Sequence, residues 1–266
     1  MSNSFRIYSL ALGMATIGGA HMNAQVSAAM PSSPHKNILI VPLKQEAASY
    51  PNGIQGNQIP VLYNNTFVIH NNDSRNVIGL FVVWHITDSA GIVSTRKMMM
   101  DTFLNTTKST IIAPTGTMII SPAGSQLAGA LTPSVSQTPG PTPGLSHLEE
   151  RFEHASQISL TIDSVMFEDG EIWGPNTEQI DKQIVARKAA AVALSQLAKS
   201  MIANGGDWKA QLTAVKKTPV RTDDVQSRWQ ERFTQQLLHW QGDPKAILNY
   251  FDQLPSPMTF SAHQYK

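Results

Sequence analysis

Apolar side chains fall on every second position through much of residues 37–167 and on every third or fourth position after residue 175, so the chain changes from strand-forming to helix-forming between them. The change is concentrated in residues 157–174. Ile158, Leu160, Ile162, Ser164 and Met166 lie on one side of an extended segment, and Ser159, Thr161, Asp163, Val165 and Phe167 on the other. One face is almost wholly apolar and the far end is apolar on both, which predicts a central strand. Asp169 and Gly170 predict a type I′ turn, which needs positive φ at both residues, and Glu171 to Trp173 a short return with which the sheet ends. Gly174, Pro175 and Asn176 open a helix, with Asn176 as N-cap and Gln179 as its capping-box partner.

Upstream, the same period of two predicts several more strands. One covers residues 37–42 and a second residues 58–68, kinked at Asn64 and Asn65. The polar cluster 71–76 is a turn. Residues 77–88 form a long strand with Ile78, Leu80, Val82, Trp84 and Ile86 facing one way; a hairpin at 88–91 follows, 92–104 returns, and 109–121 adds at least one strand more. Strands separated by turns, with no helical period between them, point to an antiparallel sandwich, and a strand carrying a tryptophan suits the immunoglobulin-like type. The proline-rich stretch 131–145 can form neither ladder nor helix. Only helical pattern follows the strand beyond it, so that strand must pair backwards, and 131–145 is read as a loop within a β domain spanning 37–174.

From residue 175 to 254 the pattern is helical. Ile180, Ile184, Ala191, Leu194, Ala198 and Met201 form one stripe, with Arg187 on it, and the helix stops at Asn204 to Gly206. Asp207 caps a short helix bearing Trp208, Leu212 and Val215. Asp223 caps another along which Val225, Trp229, Phe233, Leu237 and Trp240 line up, and Asp243 and Pro244 start the last, which Pro255 stops. Residues 255–266 are a tail. The fold class expected is therefore β plus α: an N-terminal antiparallel immunoglobulin-like β-sandwich followed by a C-terminal helical segment.

Composition narrows the possible functions. Residues 1–29 read as a signal peptide and leader, because one positive charge precedes an apolar run too short to span a bilayer; this predicts a secreted or periplasmic protein. No later apolar run is long enough for a transmembrane anchor. The chain has no cysteine, which removes thiol nucleophiles, disulfides, iron–sulfur clusters and cysteine-rich zinc sites together. A net charge of +1 without long basic runs leaves no footprint for nucleic acid, so the expected partner is a protein or a cell-envelope component.

Candidate chemistry is sparse, and no cofactor is expected. The eight histidines form no short metal pattern, and no GxSxG, P-loop or GxGxxG occurs. Met98 and Met100 share a strand face as soft copper ligands would, yet two thioethers without nearby His or Cys read better as adaptable core filler. Asp163, Glu168, Asp169 and Glu171 place four carboxylates near one strand end. Paired acids there could work as acid and base or bind a cation, whereas turn geometry and a solvated rim account for them without chemistry. Trp229, Phe233 and Trp240 are the candidate interaction residues, because large aromatics dominate interface energetics wherever they are accessible.

The string from Val165 to Gly174 has the pattern V-x-F-x-D-G-x-x-x-G and follows a strand-rich region with a tryptophan strand. In this it resembles a loose group of uncharacterised secreted bacterial proteins in which such a segment closes an immunoglobulin-like sandwich before a helical tail. The resemblance implies fold and export and transfers no catalytic residue. The expectation is thus an exported, non-catalytic binding or interaction module, with two alternatives: a secreted hydrolase using carboxylates at the sheet–helix junction, or an assembly subunit that oligomerises through its helices.

Overall fold

Strands β3 (Val77–Asp88) and β6 (Ala155–Phe167) pair antiparallel along their lengths, and the remaining elements are arranged on the faces and edges of that pair. The computed structural model describes residues 31–49, 63–104, 109–122, 155–205, 207–216 and 224–263. The leader, the first part of the strand expected over 58–68 and the proline-rich stretch 131–145 lie outside the described residues. So does Asp223.

The first eight residues of β3 are all buried, which is what its near-continuous apolar run requires of a strand covered on both faces. On one face lies a three-stranded antiparallel sheet in the order β1 (Ile38–Pro42), β2 (Phe67–Asn71), β5 (Thr117–Ile120). Residues 63–66 ahead of β2 are helical and turn-like, so the strand starts later than the alternation from residue 58 suggested. Ile38, Ile40, Phe67, Ile69 and Ile120 of the small sheet meet Leu80, Val82, Trp84, Ile158, Leu160 and Ile162 of the large one in a single core. Trp84 is fully buried there, 5.9 Å from the Phe67 ring. Met98 and Met100 of β4 (Val93–Asp101) pack against this core, as filler would.

The large sheet has the order β4-β3-β6-β7-β8, with β6 in the middle. The β3–β6 register slips at three places, one of them at the strand end between Thr87 and Asp88. Phe81 pairs with Ser164 but Val82 with Ile162, which leaves Asp163 as the extra residue of a β-bulge. Beyond it the phase inverts: Val165 and Phe167 join Ile158, Leu160 and Ile162 between the sheets, while Met166 faces the helices. A second irregularity, between Val77 and Gly79, turns Ile78 to the helical side as well, away from Leu80 and Trp84.

The turn after β6 carries positive φ at Gly170 alone, +88°, and the Gly170 amide donates to the Phe167 carbonyl at 2.9 Å. This is a type I turn closed by a glycine bulge rather than the expected type I′. Strand β7 (Glu171–Trp173) then pairs with Val165 and Met166. The sheet does not end there. Strand β8 (Ser261–His263), in the segment read as a tail, pairs in parallel with β7, so that Ile172 faces Ala262. A parallel pair needs a crossover, and the whole helical region supplies it.

The crossover comprises α1 (Ile180–Ala203), α2 (Trp208–Lys216), α3 (Val225–His239) and α4 (Pro244–Gln253). The α1 stripe divides its contacts. Ile180 and Ile184 cover Ile78, Phe81, Val83, Met166 and Ile172 on the outer face of the large sheet. Ala190, Ala191, Leu194 and Ala198 instead meet Leu212, Phe233, Leu237, Leu248 and Phe251 in a separate helical core. Capping departs from expectation in two places. Gln179, not Asn176, is the N-cap of α1, although the Asn176 Oδ1 still accepts from the Ile180 amide at 2.9 Å. Asp224 caps α3, accepting from the Gln226 and Ser227 amides, one residue after the aspartate expected to do so. Asp207 and Asp243 cap α2 and α4 as read. The protein is of the β plus α class, with two sheets and, among the described residues, four helices toward its C-terminal side. No helix among the described residues is long and apolar enough to cross a membrane.

Candidate functional site

The four carboxylates near the end of β6 do not form one group. Asp163, the bulge residue, is 2% exposed and turned toward the start of the helical region. Its Oδ1 accepts from the Thr177 amide at 3.0 Å and from the Thr177 hydroxyl, and its Oδ2 accepts from the Glu178 amide at 3.3 Å. The Asn176 amide donates to its carbonyl. Asp163 therefore fastens the β7–α1 connection to the sheet. Glu168 accepts from the Asn76 side chain on the rim.

Asp169 and Glu171 do converge, and the residue they share is Arg75. Its Nη1 donates to Asp169 at 2.6 Å and to Glu171 at 2.8 Å, while its Nε donates to Asp73 at 2.9 Å. The turn 71–76 is folded to hold it: the Asn71 side-chain Nδ2 donates to the Arg75 and Ile112 carbonyls, and the Asn71 Oδ1 accepts from the Asp73 backbone amide. The guanidinium also lies 4.1 Å from the centroid of the Phe167 ring. Electrostatics follow from this geometry. Hydrogen bonds from Arg75 hold the Asp73 carboxyl far below the usual range. They depress Glu171 too, with help from the Trp173 indole, which donates to it at 3.0 Å. Burial alone would raise Asp169, but Arg75 and the Glu171 amide outweigh it and lower it. No acid in this group is held protonated for use as a donor near neutral pH.

Two histidines border the cluster. His35 is buried, with its ring edge-on to Phe167 at 5.1 Å and to Trp173 at 4.9 Å, and its Nδ1 accepts from the Asn37 amide at 3.3 Å. Loss of hydration lowers its pKa although Asp73 pulls the other way. His263 of β8 stacks on Trp173 at 5.0 Å, its Nε2 3.7 Å from Glu171. The network ties β7 and β8 to the turn before β3.

A concave site lies elsewhere, between the outer face of the large sheet and the helices. It is a cleft of about 420 Å³ with Phe81 of β3 and Met99 of β4 on the sheet side and Trp229 of α3 on the helical side. Arg228, Trp229 and Arg232 all line it, Arg228 and Trp229 being four and three residues before Arg232 and so each its neighbour on the helix surface. The Trp229 indole donates to Gln183 at 3.0 Å, and the guanidinium carbons of Arg187 and Arg232 each stand 5.1 Å from its ring centroid. Two of the four cations around the cleft are matched. Arg187, 1% exposed, makes a bidentate pair with Asp101 at 2.9 and 2.6 Å, and Lys97 meets Glu178 at 2.5 Å. Arg228 and Arg232 have no carboxylate partner among the described residues.

The aromatic candidates separate accordingly. Phe233 is 4% exposed and belongs to the helical core, 4.9 Å from Phe251, so it is not available to a partner. Trp240 is half-buried over Gly242, and its indole donates to the Asp243 carbonyl within its own turn. Trp229 alone of the three lines the cleft. Arg75, Arg228 and Arg232 were missed in the sequence, the first because a turn of Asn, Asp, Ser and Arg reads as solvated. Arg187 left a signal, since an arginine on an apolar stripe requires a buried acid somewhere, and Asp101 is that acid.

Among the described residues no group of three or more His, Asp or Glu side chains is placed to hold a metal ion. No protein-family model, curated protein or solved structure matches this chain.

Proposed function

We propose that this is an exported, non-catalytic interaction module whose binding site is the cleft between the large sheet and α3. The observation that carries the reading is the placement of Trp229: a large aromatic, half-buried in the lining of a concave surface that it shares with Met99, and oriented by a hydrogen bond to Gln183. Export rests on the leader pattern of residues 1–29, and the partner is a protein of the cell envelope or of the surroundings. The two sheets closed over Trp84 are read as a variant of the immunoglobulin-like sandwich. It has no disulfide for the tryptophan to cover, and a parallel fifth strand is added to one sheet.

The hydrolase alternative draws on Asp163, Glu168, Asp169 and Glu171; only Asp169 and Glu171 converge, and Arg75 lowers the pKa of both, which suits an ion network that locks two strands better than proton transfer. The test combines binding and turnover. A photo-crosslinking residue at position 229 should capture a discrete envelope protein, and the same residue at position 240 should not. Hydrolysis of an ester, glycoside or peptide bond that disappears in Glu171→Gln, assayed well below the melting temperature of that variant, would overturn the reading.

A further inference from the structure

We infer that the occupant of the cleft is an acidic segment of a protein chain, in which an apolar side chain is flanked by carboxylates. The inference rests on the interaction-module reading and adds the chemistry of the partner. Lys97 and Arg187 are neutralised by Glu178 and Asp101, whereas Arg228 and Arg232 have no carboxylate partner among the described residues, and Arg232 meets only the Trp229 ring. The surplus charge of the cleft is thus positive and comes from guanidinium groups one helical turn apart. Guanidinium forks match carboxylates in geometry as well as charge. Beside them Trp229 and Met99, both half-buried, line the same cleft and offer contact to an apolar side chain. A small anion would satisfy the arginines and leave that surface wet. A purely apolar segment would leave the guanidiniums unmatched. An acidic segment with an embedded aromatic satisfies both.

The test is fluorescence anisotropy on the full chain with a labelled pentapeptide of two glutamates, a phenylalanine and two aspartates, compared with its glutamine and asparagine counterpart. The acidic peptide should bind at least about tenfold more tightly than the neutral one at low salt and should lose that advantage as salt rises. Arg228→Ala and Arg232→Ala should each weaken the acidic peptide about fivefold and leave the neutral one unchanged. Both side chains are exposed, so both variants fold. Reversing both charges to glutamate should shift the preference to a lysine-containing peptide. Equal binding of the acidic and neutral peptides, with both lost in Trp229→Ala, would overturn the acidic occupant and leave the interaction module standing. Displacement of the acidic peptide by free citrate at equal concentration would also overturn it, in favour of a small anion. Absence of binding by either peptide would overturn it as well. Turnover that depends on Glu171 would remove the reading beneath it.

Discussion

Arg187 and Asp101 are the least exposed ion pair in the protein's described residues, and each exists for the other. A single substitution leaves a charge buried without its partner. Arg187→Leu or Asp101→Leu is therefore expected to cost about 3–5 kcal/mol in urea unfolding, and the double substitution to recover most of it. His35 behaves differently because its burial favours the neutral ring. Below its unfolded value of 6.5 the unfolded chain takes up a proton at this residue before the folded chain does, so stability falls as pH drops through that window. The depressed carboxyls of Asp73, Asp169 and Glu171 act lower. What they add is present above their unfolded values of 3.8 to 4.5 and is lost as pH falls through the folded ones. Midpoint denaturant concentration against pH should accordingly drop in two stages, and His35→Phe should remove the first stage and keep the second. The sequence singles out Asp169 and Glu171 but not their partners, since Asp73 and Arg75 sit in a predicted turn and His35 in a stretch with no periodicity; only the fold brings them together.

Among the elements, β6 and β8 show what pattern can and cannot disclose. The apolar positions 158, 160, 162, 165 and 167 already carry the phase slip of the bulge, since no single alternation contains all five. Asp163 is the residue that absorbs it, which places its carboxylate at the helix entry. Strand β8 left no such trace: three residues, two of them exposed, offer no alternation, and pairing with β7 defines them. That pairing depends on Gly170. A Cβ there would stand 2.2 Å from the Thr259 carbonyl oxygen, and φ of +88° disfavours any side chain. Gly170→Ala is expected to cost at least about 1–2 kcal/mol. Hydrogen exchange should show amide protection lost at Ser261, which donates to the Gly170 carbonyl, while β3 stays protected.

At the scale of the molecule, three layers succeed one another: small sheet, large sheet, helices. The class and the order of strands before helices could be read from periodicity, because each layer keeps its own spacing of apolar residues. The closure could not, because it is made by a contact between the two strands that flank the helical region. A chain ending at residue 174 would lose β8 and would uncover Ile78, Phe81, Met166 and Ile172. It should aggregate or bind a hydrophobic dye rather than sediment as a folded β domain, and a sharp cooperative melt of that fragment would contradict this picture. The parallel pairing of β7 with β8 also sets an order in time. During synthesis the large sheet lacks its last strand until all four helices have been made, so its final closure is a late event governed by a contact between distant parts of the chain. For the export proposed from the leader pattern such a delay would be an advantage, since a sheet that cannot shut early stays threadable.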